Sequence, residues 1–175
     1  MNESLDRSFG ILIAYILPGF FCLAGASQSS ATIAAWMSVA PSSDPTVGGF
    51  LYVTLGSLAA GMVINAFRWL LIDSLHHLTG LSRPNLDFSK LSSNLEAFKI
   101  AVEHNYRHYQ FYANTVIAGI FYSLADQWAN GHWPLLGLLA GIVVEGVLLV
   151  TSRDCLRRYY ERTAQLIGHD GFEIL

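Results

Sequence analysis

Glu145 stands in the run Gly141-Ile-Val-Val-Glu-Gly-Val-Leu-Leu-Val150, among the most apolar stretches of the chain. A carboxylate there has three ways to persist: pairing with a cation, keeping its proton, or meeting water. Asn65, Arg68 and Asn114 occupy comparable surroundings. Counted from the inner ends of their apolar blocks, Glu145, Asn65 and Asn114 fall within a few ångströms of one depth, at about 1.5 Å of rise per residue. Arg68 lies one turn from Asn65 on the same face. The spacing therefore predicts a polar layer built from three helices. Its plainer form is a buried Glu145–Arg68 pair, capped by the asparagines, that only holds a bundle together. Its functional form is a water-filled path lined by Glu145 that favours cations or relays protons.

Small residues flank this layer. Gly137, Gly141 and Glu145 are spaced by four and share a helical face, as do Gly61, Asn65 and Arg68. Such stripes let backbones approach closely, so they are expected to face each other or an identical subunit. Pro18 near the middle of the first apolar block removes a backbone N–H and frees the carbonyl of Ala14. That makes Pro18-Gly19 a candidate hinge or pore lining, although proline is common in membrane helices.

Two further groups could do chemistry outside the apolar blocks. His104 and His108 sit at i and i+4, a spacing that can hold a metal, with His76-His77 as a third ligand. One His pair without HExxH is better read as part of a solvated His/Tyr/Arg girdle, so no metal and no cofactor are expected. The run Arg153-Asp-Cys-Leu-Arg157-Arg158-Tyr159-Tyr160-Glu-Arg162 reads as an interface anchor for anionic lipid headgroups. Its sharper reading is a phosphate or base site in which Arg157 and Arg158 join Arg107, with Tyr106 and Tyr109 opposite. GxSxG, Walker A, GxGxxG, CxxC and EF-hand patterns are all absent, and the chain does not read as an enzyme.

The elements that must position these residues follow from composition. The chain has 175 residues, 53% hydrophobic and 13% charged, with mean hydropathy +0.40. Soluble domains carry roughly a quarter charged residues. Apolar blocks at 9–26, 48–72, 109–127 and 134–151 each approach the ~20 residues needed to cross hydrocarbon. The expected fold is an all-α, four-span transmembrane bundle forming one domain, with cytoplasmic segments at 73–108 and 152–175. The first block carries Glu3 and Asp6 before it and Pro18-Gly19 within it, so it reads as a span rather than a cleaved leader.

Of the ten basic residues, nine lie in the N-tail, the middle loop or the C-tail, and Arg68 lies at the same end of the second span. The intervening loops hold none. The positive-inside rule then places both termini in the cytoplasm. Trp36, Trp128 and Trp133 fall near one interface, Trp69 and Tyr109 near the other. Ser93-Asn-Leu-Glu96 is a capping-box pattern, from which one helix is expected to run from about Asn94 into the third span. The fourth helix is expected to continue to Ile167, with Gly168 as its C-cap.

Four short helices are too thin to enclose a wide pore, so a path would form between copies of the chain. The expected function is a small homo-oligomeric channel, with lipids and further copies as partners. A non-conducting accessory subunit is the alternative, and a membrane metalloenzyme the third choice. In size, four-span layout and cytoplasmic His/Tyr/Arg helix, the chain resembles the small membrane effectors of bacterial antiphage systems, such as the Hailong type. That resemblance implies opening by a nucleotide-derived cytoplasmic ligand at Arg107, Arg157 and Arg158, and loss of membrane potential on opening.

Overall fold

The computed structural model describes residues 10, 12–37, 47–131 and 135–167, with only the backbone for Ala101 and Glu103. Arg7, Asp44, Trp133, Pro134 and the cap expected at Gly168 lie outside the described residues. Among the described residues every regular element is helical and there is no strand. Helix α1 is Leu12–Ser27, opening with a π-helical turn at Leu12–Ile16. A short α2, Ala31–Met37, follows. Helix α3, Val47–Leu78, contains a second π turn at Trp69–Asp73. Helix α4, Leu91–Ala101, passes through a third π turn, Val102–Tyr106, into α5, Arg107–Asn130. Helix α6 is Leu135–Ile167, 33 residues without a break.

Two of these, α3 and α6, are long and apolar enough to cross a membrane; α1 is apolar but shorter. α5 has the length, but polar side chains line it. It is the central helix, and it buries Tyr109, Gln110, Ala113, Asn114, Val116 and Ala118 against its neighbours. The outward faces of the flanking helices are apolar: Phe50, Leu55, Met62 and Val63 on α3, and Leu136, Ile142, Val143 and Val147 on α6. Polar groups inside and large apolar side chains outside is the distribution expected of a surface that meets hydrocarbon, since water-soluble monomers rarely expose so continuous an apolar patch.

Glycine decides how α1 sits. A Cβ on Gly19 would collide with the Ser57 carbonyl, and one on Gly61 with the Tyr15 carbonyl, so α1 and α3 touch backbone to backbone. This corrects one expectation: the Gly61 stripe faces α1, not the Gly137–Gly141 stripe. At Gly141 a Cβ would have nothing within 4 Å.

At the other end, Ile72, Leu81, Tyr109, Ala113, Val116 and Leu156 close a small apolar core where α3, α5 and α6 converge. The last turn of α6 is tied down by the Asp87 N–H, which donates to the Ile167 carbonyl at 2.7 Å. The Asn94 side chain donates to the Leu166 carbonyl at 3.0 Å. These bonds meet the need of terminal helix carbonyls for donors. The capping box expected at Ser93–Glu96 is not formed. The helix starts at Leu91, Ser93 donates back to the Lys90 carbonyl, and Asn94 leaves helical geometry (φ −121°, ψ 18°) to reach α6. α5 ends at Gly131, whose positive φ of 76° lets its N–H bond the Gln127 carbonyl.

Candidate functional site: a satisfied cluster and an unsatisfied carboxyl

The polar residues of the apolar blocks divide into two groups rather than one layer. The first gathers around Arg68, which is 3% exposed. Its Nη1 donates to Asp73 Oδ1 at 2.9 Å and its Nε to Asn65 Oδ1 at 3.1 Å. The guanidinium lies over the Tyr109 ring, 5.0 Å from its centroid, and the Tyr109 hydroxyl donates to the same Asp73 oxygen. Gln110 Nε2 reaches Asn65 Oδ1 at 3.5 Å and Tyr15 Oη at 3.3 Å. Charge, hydrogen bonds and ring face together compensate the cation, as a buried ion pair requires.

Local backbone explains how Arg68 meets Asp73. Residues five apart fall on nearly opposite sides of a 3.6-residue helix. The π turn Trp69–Asp73 winds with i→i+5 bonds and brings the two toward one face. Tyr15 also lies in a π turn, and the third precedes Tyr109 by three residues. Below the cluster, His76 Nε2 meets Ser152 Oγ at 3.0 Å. The Ser152 hydroxyl already donates to the Leu149 carbonyl, so His76 is the donor.

Asn114, one helical turn from Gln110, is fully buried, and its Oδ1 has no partner among the described residues. Its Nδ2 donates to the Ala14 carbonyl at 2.8 Å, the acceptor that Pro18 leaves without its helical N–H. Pro18 is thus an internally compensated break facing α5.

The second group is Glu145. It does not pair with Arg68, and it does not share the depth of Asn114. Its carboxyl lies against Gly119 of α5, where an added Cβ would strike Oε1. Gly119 is five residues beyond Asn114, about 7 Å along the axis. Among the described residues Glu145 Oε2 is buried with no hydrogen-bond partner. The carboxyl borders a groove of about 500 Å³ between α5 and α6, lined by Tyr122, Ser123, Asp126, Gly137, Gly141 and Ile142 among others.

The histidine and arginine candidates outside the apolar blocks do not assemble into one site. Arg157 pairs with Asp154 at 2.8 Å and with Glu161 at 3.7 Å, and Arg158 pairs with Asp154 at 2.8 Å. All are pairs within α6, which compete with any anion. His104 and His108 are exposed, their rings edge-on at 5.3 Å, and His108 turns to the His104 carbonyl. Among the described residues the ring contacts and hydrogen bonds of this pair lie within its own helix. Arg107 lies along Gly10. Tyr106 does face the other helix, stacking near Tyr159 at 5.0 Å. Among the described residues no three His, Cys, Asp or Glu side chains converge on a metal position.

Sequence reasoning missed Asp73, Tyr15, Gln110 and Gly119. Asp73 falls just past the end of the second apolar block, and the five-residue spacing from Arg68 does not pair on an α-helix. The available signal was charge balance: Arg68 had an acid nearer in sequence than Glu145. Compared with family models, curated proteins and solved structures, the chain matches none.

Proposed function

We propose that this chain is a four-span membrane protein that assembles with copies of itself and conducts cations along a path bordered by Glu145. One observation carries the reading. Arg68, the basic residue of the apolar region, is already neutralised by Asp73, which leaves the Glu145 carboxyl without a partner beside an open groove. The pairing that would have made Glu145 mere glue is taken. An uncompensated acid in hydrocarbon costs on the order of 3 kcal/mol, so a carboxyl kept there is a functional candidate by default. A single copy encloses no path, so the groove would be completed by a neighbouring subunit. Under this proposal both termini are cytoplasmic in a bacterial inner membrane, and opening discharges the membrane potential, the act implied by the resemblance to antiphage effectors.

The test is conductance of the purified protein in planar bilayers. Cation-selective currents that lose selectivity on Glu145→Gln, with thermal stability kept, support the proposal. A silent wild type, or a strict monomer in nanodiscs, overturns it. The second reading, a non-conducting accessory subunit, draws on the fully compensated Arg68–Asp73–Tyr109 cluster, which is built to hold rather than to open.

A further inference from the structure

The groove between α5 and α6 combines three properties. Its volume, about 500 Å³, falls in the roughly 300–1,000 Å³ range of small-molecule sites. Its lining is mainly apolar, with Ile120, Leu124, Leu138 and Ile142. Its carboxylic acids are Glu145 and Asp126, and no Lys, Arg or His lines it. Asp126 already accepts from Asn130 at 2.7 Å, which leaves Glu145 as the carboxyl without a donor. Tyr122, on the same wall, adds an aromatic residue, a side-chain class whose ring attracts cations.

We infer that this groove binds a hydrophobic organic cation, of the quaternary ammonium or phosphonium class, which enters it from the bilayer. Charge complementarity selects the cation: a neutral occupant leaves the carboxyl uncompensated, and an anion meets two acids. The onium class follows from the geometry of the acid. Glu145 lies back against Gly119 rather than projecting into the groove, so it suits a ligand that needs nearby negative charge, within about 4–6 Å, rather than a directed hydrogen bond. Access is lateral, because Ile142, Val143 and Leu139 on the adjoining face of α6 are exposed. The inference rests on the same reading of Glu145 as the uncompensated acid of a cation path, and it names the organic cation class that this acid would hold.

The test uses the full-length protein in nanodiscs of zwitterionic lipid. Tetraphenylphosphonium is the probe, and tetraphenylborate the control of equal shape and opposite charge. Saturable phosphonium binding, no saturable borate binding, and at least a tenfold weaker phosphonium affinity in Glu145→Gln support the inference. Gly141→Leu is the second variant. It fills the groove from a position with open space, so it keeps the fold and abolishes binding. Equal uptake of both ions, unsaturable uptake, or wild-type affinity in Glu145→Gln overturns it. A Gly141→Cys variant that crosslinks between copies and excludes the phosphonium assigns the groove to a second copy and also overturns it. Conductance is read separately: currents without phosphonium binding sink this inference alone, and binding without currents sinks the channel alone.

Discussion

Asn114 supplies the hydrogen that Pro18 withholds: its side-chain amide donates to the Ala14 carbonyl at 2.8 Å, across the contact between α1 and α5. The pairing makes a quantitative prediction. Asn114→Leu strands a buried carbonyl and is expected to cost about 1–2 kcal/mol, the upper range for interhelical hydrogen bonds in membranes. In a Pro18→Ala background the helical N–H returns, so the same substitution should cost measurably less. A double-mutant cycle on unfolding in mixed micelles measures the difference. Equal costs in the two backgrounds would show that Asn114 does not compensate Pro18.

The Arg68–Asp73 pair is buried, with side chains 3% and 11% exposed. Removing one member leaves a lone charge, expected to cost about 3–5 kcal/mol. Asp73→Leu should therefore destabilise severely. The double substitution Arg68→Met with Asp73→Leu should recover much of that loss, because apolar side chains of similar size replace buried pairs at little cost. Thermal unfolding of the three variants in detergent decides it. A double variant no more stable than Asp73→Leu would mean that the cluster contributes more than charge compensation.

The helical class and the long apolar helices follow from hydropathy blocks, and the run of α6 to Ile167 from the lack of Gly and Pro between Gly146 and Gly168, which are local signals. The polar groups were legible one at a time as misfits in apolar sequence. Their partnerships were not, for two physical reasons. Depth counting assumes uniform α-helical rise and facing, and the π turns at Leu12–Ile16, Trp69–Asp73 and Val102–Tyr106 change which residues share a face. Matching depth also says nothing of lateral neighbours. Glu145 and Arg68 both meet α5, but at different heights along it, one at Gly119 and the other at Tyr109, and Arg68 takes Asp73 of its own helix as its ion partner. Small-residue stripes carry the same ambiguity, since Gly61 and Gly141 look alike in sequence and only Gly61 is in contact.

That contrast yields a paired prediction. Gly61→Ala places a methyl group in the Tyr15 carbonyl, and Gly19→Ala places one in the Ser57 carbonyl. Each should cost about 1–3 kcal/mol through overpacking against backbone that cannot yield. Gly141→Ala meets open space and should change stability by less than about 0.5 kcal/mol. Comparison of the three melting curves in one detergent is sufficient. Destabilisation by Gly141→Ala to the extent of Gly61→Ala would show that the α6 stripe is packed in the folded state, against a second copy.

The seat of Glu145 can be moved without removing its charge. In Gly119→Ala the added methyl occupies the position of Glu145 Oε1, so the carboxylate must swing away from α5, toward the groove. The acid loses no hydrogen bond, because it makes none among the described residues. Stability should therefore fall by less than in Gly61→Ala, by about 1 kcal/mol at most, because the methyl meets the end of a flexible side chain rather than backbone. Conduction should respond differently. A displaced but intact carboxyl keeps cation selectivity while altering unitary conductance, whereas Glu145→Gln keeps the packing and loses selectivity. Reversal potentials and unitary currents of the two variants, recorded under one salt gradient, separate charge from position. If Gly119→Ala and Glu145→Gln both leave currents at wild-type values, the groove is not the conducting path and Glu145 serves packing after all.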